Sequence, residues 1–492
     1  MSNQSTQVAV LGGGPGGYAA AFMAADLGLD VTLIDVEKNP GGTCLYRGCI
    51  PSKALLHVAK VINEAREAAH FGLNFAEPEI DMDRVRESTA EVVAQMTGGL
   101  GQLVKARNIN YIQGRGNFVN SKTLVVTQAD GKQIKLDAEY TIIAAGSRPA
   151  RFGPLIESDR IMNSTGALLV EDVPESLLLV GGGYIGLELG TVYAALGSEV
   201  TCVEMMPGLL PGADRDLVKP LHKRLEGQFK EILLNTKIAE MKEQKNGIKV
   251  VLEGEGIKKA NRVFDKVLIS IGRKPNASGL GLKSTSVVVN DRGFIEVDAQ
   301  LRTADPNIFA IGDIVGGAML AHKASAEGRV AAEVIAGHNA AFEPQAIPCV
   351  VFTDPEVAWC GMTEEEAKAE GRAVNVARFP WAASGRATTI NRTEGMTKII
   401  SDPETEQLLG MGIVGAGAGE LIAEGTLAIE MGALVSDLDL TIHAHPTLSE
   451  AIMEASNAAL GHAIHAMNRK RRPPRSPRTP RSGRPGRPGR PS

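Results

Sequence analysis

The stretch "VAVLGGGPGGYAAAFMAADLGLDVTLID", residues 8 to 35, decides how the chain is read. An apolar strand, Val8 to Leu11, runs into Gly12, Gly14 and Gly17. A helix of small residues follows, then a strand from Val31 to Ile34 that ends in Asp35. In such a unit the glycines serve a tight turn, a close approach of backbone to a pyrophosphate, and close packing of helix on strand. The helix N-terminus attracts the phosphate and the terminal acid takes the ribose hydroxyls. Glycines alone would say little. Glycines set between strand, helix, strand and acid at this spacing predict a dinucleotide site.

The pattern recurs in "LLLVGGGYIGLELGTVYAALGSEVTCVE", residues 177 to 204. Gly181, Gly183, Gly186 and Glu204 stand at one constant offset of 169 from Gly12, Gly14, Gly17 and Asp35, and Gly28 matches Gly197. Two dinucleotide sites of common design are therefore expected. Both end in an acid, which argues against a 2′-phosphate on either ligand. At the second, Glu204 would repel that phosphate and "CVEMMPGLL" offers no arginine to rescue it, so NAD is expected over NADP. Two such sites suggest electrons passing between two cofactors, with FAD and NAD the natural pair.

Between them lies "GGTCLYRGCIPSK", residues 41 to 53, with Cys44 and Cys49 four residues apart before a helix-like run. The spacing excludes a C-x-x-C motif but allows a small disulfide ring at a helix start, where a thiolate is stabilised. Such a ring would contribute only about 2 kcal/mol by loop closure, so it makes a weak staple. A metal clip would need further ligands, and no histidine clusters nearby. That leaves a redox pair. Cys202, Cys349 and Cys360 stand alone and read as small buried hydrophobes.

Further out, "YTIIAAGSRP" (140–149) and "DKVLISIGRKPN" (265–276) read as strands leaving each dinucleotide unit. In "NIFAIGDIVGG" (307–317) an apolar strand stops at Asp313, whose carboxylate suits either the hydroxyls of a ribityl chain or a turn cap. From about 346 the character changes. Proline-marked strands appear, "MTKIIS" (396–401) alternates like a half-buried strand, and two helical segments flank "HAHPTLSE" (443–450). The fold class expected is α/β: two tandem Rossmann-like dinucleotide-binding domains plus a C-terminal α+β dimerisation domain. The boundaries are 1–147, 148–276, a central domain 277–345, an interface domain 346–467 and a tail 468–492.

Composition agrees with this size. The 492 residues are 43% apolar and 22% charged, as in a globular protein with ample core. Aromatics at 4% give little support to nucleic-acid binding by base stacking. No basic-then-apolar leader opens the chain and no apolar run reaches membrane-span length, so a cytoplasmic protein is expected. The net charge of −5 hides an asymmetry: residues 469–492 hold ten of the 52 Lys/Arg and no acid, leaving 42 basic against 57 acidic residues elsewhere. With seven prolines and no apolar anchor, this tail is expected to be disordered. It reads either as an electrostatic arm or as a terminal extension.

Taken together, GGGPGG, GGTC-x4-CIPSK, GGGYIGLE, AIGD and HAHPTLSE resemble the class I flavoprotein disulfide reductases, in order from about residue 6 to 467. Within that family the motifs are most similar to the members that oxidise dihydrolipoamide with NAD. Glutathione-directed members carry a lysine where this chain has Ser52 and arginines where it has Glu204, and mercury-directed members end in a cysteine pair absent here. The resemblance implies homodimers with active sites shared between subunits. The substrate would arrive on lipoyl domains of an acyltransferase or a glycine-cleavage carrier, on another chain. It assigns Cys44 to attack by the substrate dithiol and Cys49 to the flavin. His445 becomes the proton acceptor, held by Glu450, and acts on the other subunit's disulfide; His443 is its competitor. Lys53 would lie near the flavin, paired with Glu188, although each also reads as a plain surface charge. Gly42, Thr43, Gly116, Gly146, Gly272, Asp313 and Ala321 complete the cofactor contacts the resemblance implies. No metal is expected.

Three positions depart from the family pattern: Asp35 where glutamate is commoner, Ala145 where threonine is frequent, and Tyr46-Arg47 where Asn-Val is typical. A fixed cation inside the cysteine ring leaves two readings: Arg47 stabilises a Cys49 thiolate and raises the redox potential, or its side chain points to solvent.

Overall fold

A computed structural model of the chain describes residues 2–151, 156–255 and 257–467. The basic tail expected at 468–492 lies outside the described residues. The first glycine motif folds as strand Ser2–Leu11, helix Pro15–Asp26 and strand Val31–Asp35, the strands pairing in parallel from Val8↔Val31 to Leu11↔Ile34. Pro15 suits the helix start, because a first-turn N–H has no helical acceptor to lose. The strand begins six residues earlier than its apolar run, because Ser2 to Thr6 pair along the long strand Gln133–Ile143.

That long strand organises the first sheet. It lies parallel to Ser2–Leu11, pairs antiparallel through its first half with Thr123–Thr127, and pairs parallel through its last three residues with Ile308–Ala310. Asn110–Gln113 and Arg115–Asn120 complete the sheet at its edges. The 277–345 segment thus places a strand in the first sheet, and its helix Ala321–Ile335 lies on helix Pro15–Asp26. The two helices approach so closely that a Cβ on Gly328 would come within 2.4 Å of the Gly16 carbonyl oxygen.

The second motif builds an all-parallel sheet of Ser176–Val180, Glu199–Val203, Glu231–Leu233, Lys266–Ile269 and Ile161–Asn163. Leu177, Leu178 and Leu179 are all buried there. A central strand covered on both faces needs such a continuous apolar run instead of alternation. An antiparallel three-stranded sheet, Thr236 to Phe264, packs against it.

The C-terminal unit is a five-stranded antiparallel sheet in the order Cys349–Val351, Glu356–Gly361, Leu408–Gly415, Met396–Ser401, Asn375–Pro380, covered by helices Ala418–Glu430 and Glu450–Leu460. The architecture is the α/β arrangement expected. One element differs: Met396–Ser401 does not alternate, for every residue after Met396 is buried. Lys398 is 1% exposed because Asp214, Asp216 and Glu364 surround its ammonium. The outer surface of this unit carries Leu427, Met431, Leu440, Ile442, Ile464 and Met467, all largely exposed.

Candidate functional site

The two glycine turns are built alike. Gly12 has φ +111° and a Cβ there would sit 2.3 Å from the Ala144 carbonyl oxygen; Gly181 has φ +104° and would meet the Ser270 carbonyl oxygen at 2.5 Å. Only glycine suits both demands. A Cβ on Gly17 would strike the Gly12 carbonyl, and one on Gly186 the Gly181 carbonyl. Gly183 faces open space, and the nearest atom to a Cβ on Gly14 would be Gly42 Cα at 3.9 Å. Gly146 and Gly272 also face open space, with φ of +65° and +113°. Neither helix has an acid in its first turn, so each N-terminus is free to receive a phosphate.

The terminal acids behave alike too. Asp35 Oδ2 accepts from the Gly13 N–H at 2.5 Å and Oδ1 from the Glu37 N–H at 2.9 Å. Glu204 accepts from the Gly182 N–H at 2.6 Å and the Met206 N–H at 2.7 Å. Burial pushes the Asp35 carboxyl up, and the backbone donors and the Arg47 cation work against it. Asp313 lies in a single 3-10 turn, Gly312–Val315, where Ser147 Oγ donates to it at 2.5 Å and Arg273 stands 3.9 Å away. Ala321 opens the helix beside it, while Gly116 packs its α-carbon against Leu11. These open, donor-rich turns fit a dinucleotide in each unit.

The cysteines rest on the first turn. Gly42 has φ +57° and a Cβ on it would come 2.4 Å from Gly14 Cα, so the short helix Gly42–Arg47 sits directly on the glycine loop. The exposed Thr43 follows, and Gly48 breaks the helix; a Cβ there would meet Cys44 Cα at 3.2 Å, so its absence lets the two cysteines close up. Cys49 then starts the helix Cys49–Glu67. Both cysteines are thiols in this structure. The Cys44 S–H donates to Cys49, which with the nearby Lys53 ammonium lowers the Cys49 thiol to about 7. The same hydrogen bond, together with burial, holds Cys44 far above its ordinary value. A helix N-terminus favours a thiolate at the same place.

Lys53 is not a plain surface charge. Its Nζ lies 2.8 Å from Glu188 Oε2 and 4.5 Å from the centre of the Phe352 ring. Glu188, 3% exposed, also accepts from Ser52 Oγ at 3.1 Å and from the Phe352 N–H at 3.0 Å. Arg47 corrects the expectation attached to it. Its guanidinium pairs with Glu37, and the cation beside Cys49 that lowers its thiol is Lys53.

The two histidines of "HAHPTLSE" part company. His445 Nδ1 lies 2.8 Å from Glu450 Oε1, its ring is 78% exposed, and Nε2 has no partner among the described residues. The Thr447 N–H donates to the other Glu450 oxygen at 2.8 Å. Although burial raises the Glu450 carboxyl, this N–H and the His445 ring bring it below its usual value. His443 is 6% exposed, with one ring nitrogen 2.7 Å from Glu424 and the other 2.9 Å from the Thr441 carbonyl. Both of its nitrogens are used.

Several groups near these sites carried no pattern in the sequence. Tyr18 and Tyr184 stand close enough to the cysteines for the thiolate charge to raise their phenols, after burial, which is the larger cause. A Lys323–Glu327 ion pair is buried under the Gly312 turn, where the Gly312 N–H donates to Glu327 at 2.7 Å. Cys349 is half-buried, not fully enclosed like Cys202 and Cys360. Among the described residues no group of three or more His, Cys, Asp or Glu could hold a metal ion, and no helix is long and apolar enough to cross a membrane.

Comparison with known proteins places this geometry. Residues 6–328 match the model of the pyridine nucleotide-disulphide oxidoreductases, and residues 347–456 the dimerisation domain of the same group. A dihydrolipoyl dehydrogenase from Haemophilus influenzae is 51% identical over 449 residues, covering 91% of this chain and 93% of that protein. One from Vibrio cholerae is 50% identical over 448 residues, covering 91% and 94%. Among solved structures, LpdA from Mycobacterium tuberculosis superposes with a TM-score of 0.85 at 27% identity, covering 92% of this chain and 99% of that one. The HOCl-induced flavoprotein disulfide reductase RclA from Escherichia coli gives 0.81 at 29% identity, with the same coverage.

Proposed function

Since the chain belongs to the pyridine nucleotide-disulphide oxidoreductase family, we propose that it oxidises dihydrolipoamide to lipoamide with NAD, the activity for which its curated relatives are named. The observation that carries this reading is the cysteine pair seated on the first glycine turn, with Lys53 nearby and tied to the second unit through Glu188. FAD is held by 1–147 and completed by 277–345, and NAD by 148–276.

The residues divide the work between them. With Nδ1 fixed by Glu450, His445 presents Nε2 and takes the proton from one substrate thiol. The resulting thiolate attacks Cys44 Sγ; the Cys44–Cys49 bond breaks and Cys49 leaves as the thiolate that its lowered pKa favours. The second substrate thiol gives up its proton as its sulfur displaces Cys44, closing the lipoamide ring, and Cys44 takes that proton, as its raised pKa requires. FAD, which the Gly12 turn, Asp35 and Asp313 would hold, would supply the two-electron acceptor for the cysteine pair and a hydride donor to NAD. Lys53 holds positive charge beside the cysteines throughout.

The dimerisation domain makes the protein a homodimer, and the exposed His445 ring serves the cysteine pair of the second copy. Dihydrolipoamide comes on lipoyl domains of a 2-oxo acid dehydrogenase or glycine-cleavage complex. A cytoplasmic location suits a working disulfide beside three lone thiols.

The test is direct. Purified protein should be yellow and should form NADH from dihydrolipoamide and NAD, and Cys44→Ser should abolish that while leaving the flavin bound. Colourless protein, or preferential turnover of glutathione disulfide with NADPH, would overturn the reading.

A further inference from the structure

Tyr46 and Arg47 lie between the two cysteines, yet neither side chain turns toward them. Arg47 forms an ion pair with Glu37, two residues beyond Asp35. Tyr46 donates its hydroxyl to the Asn39 carbonyl at 3.0 Å. The 36–40 turn that these residues grip follows the terminal acid of the first dinucleotide unit. On its far side the Tyr111 hydroxyl donates to the Glu37 carbonyl at 2.9 Å and Gln113 Nε2 to the Val36 carbonyl at 3.1 Å. The Glu37 N–H in turn donates to Asp35 Oδ1 at 2.9 Å, so the residue that Arg47 holds is itself a ligand of the acid.

We propose that Tyr46 and Arg47 form a latch that fastens the cysteine helix to the Asp35 turn, so that flavin retention and the seating of the cysteine pair are set by one closed loop, residues 35–47. The inference rests on the reading of the first unit as an FAD site. Arg47 and Tyr46 are positioning residues: they act on the flavin through Glu37, Asn39 and Asp35. The 35–47 segment is tied at its beginning by Asp35 to Gly13 and in its middle by the Gly41 N–H to the Gly13 carbonyl at 2.7 Å. The latch adds side-chain ties at the end of the segment that carries Cys44. Arg47 also places a cation where it offsets the burial of the Asp35 carboxylate.

The measurement is the rate at which flavin fluorescence appears when holoenzyme is diluted. Arg47→Val and Glu37→Gln should each release FAD about threefold or more faster than the parent, as expected for a partly exposed pair. The gap should narrow at high salt, which screens such a pair. Charge reversal in the double variant Arg47→Glu/Glu37→Arg should bring the rate back toward the parent's, a recovery that mere loosening of the loop would not produce. Affinity for NADH, bound in the other unit, should stay unchanged. Unchanged release in both single variants, or a double variant as fast as the singles, overturns the latch while the flavin reading stands. A parent that never retains FAD overturns both.

Discussion

Lys53 Nζ lies 2.8 Å from Glu188 Oε2, an ion pair that joins the helix begun by Cys49 to the first helix of the second dinucleotide unit. The lysine is one of the charges that lower the Cys49 thiol. Lys53→Met should therefore move the thiolate midpoint of the reduced enzyme upward from about 7. It should also destabilise the fold by about 1–3 kcal/mol, because the buried Glu188 loses its cation. Titration of thiolate absorbance and urea unfolding read the two effects separately; a midpoint that stays put would remove Lys53 from the thiolate's surroundings.

The largest single influence on Cys49 is the Cys44 S–H. Cys44→Ala should raise the Cys49 midpoint from about 7 toward the ordinary 9. The intact pair should lose one proton near neutrality and keep the second, since two such close thiols titrate as a unit. Two separate midpoints close to 9 in the parent would contradict this arrangement.

His445→Gln should lower lipoamide-dependent NADH formation by about 10²- to 10⁴-fold, the usual worth of a positioned general base. His443 has both ring nitrogens within hydrogen-bond distance of protein acceptors, so neither is open to a substrate. His443→Gln should therefore cost less than about tenfold, below the range of a working base. Reduction of ferricyanide by NADH, which bypasses the cysteines, should survive both changes. Equal losses in the two variants would mean that the exposed ring has been given the wrong role.

Lys398 is enclosed by Asp214, Asp216 and Glu364, on the second dinucleotide unit and the C-terminal unit. Lys398→Met would leave the buried Asp214 without its cation, while Arg378 still pairs Asp216 and Glu364, and should cost about 3 kcal/mol in chemical unfolding. The pH dependence has a definite sign. Burial pushes Asp216 up, but Arg378 and Lys398 outweigh it and hold the carboxyl below 3.8. Its contribution is therefore fully present above that value and is lost as pH falls through the lower folded-state pKa. Below pH 3.8 the parent should lose stability more steeply than the variant. Parallel acid limbs would show that the cluster is not ionised as drawn.

Gly181→Ala separates the two halves of the reaction. With φ at +104° and the Ser270 carbonyl oxygen only 2.5 Å from where a Cβ would stand, any side chain there is strained. The usual cost of such strain, about 1–3 kcal/mol, should appear as weaker NAD binding. The cysteine pair should still be reduced by dihydrolipoamide, and FAD should stay bound. Loss of flavin instead would mean that the two units are not independent.

What the chain's order of residues determined by itself was local. A turn with positive φ and a carbonyl within van der Waals range admits only glycine, so Gly12 and Gly181 declare themselves, and their common offset declares the repeat. The cysteine spacing and the acid closing each second strand are local in the same sense. Tertiary structure decided whatever depends on partners far away in the chain. Glu188 is buried because Ser52, Lys53 and Phe352 converge on it from two other units. Lys398 is buried in a strand that alternates on paper because its counter-charges come from residues 214, 216 and 364. Arg47 faces Glu37 instead of the thiols on either side of it, and His445 is left open while His443 is enclosed. Charge and hydroxyl groups bond to whatever the fold brings within about 3 Å, and no spacing rule along the chain encodes that.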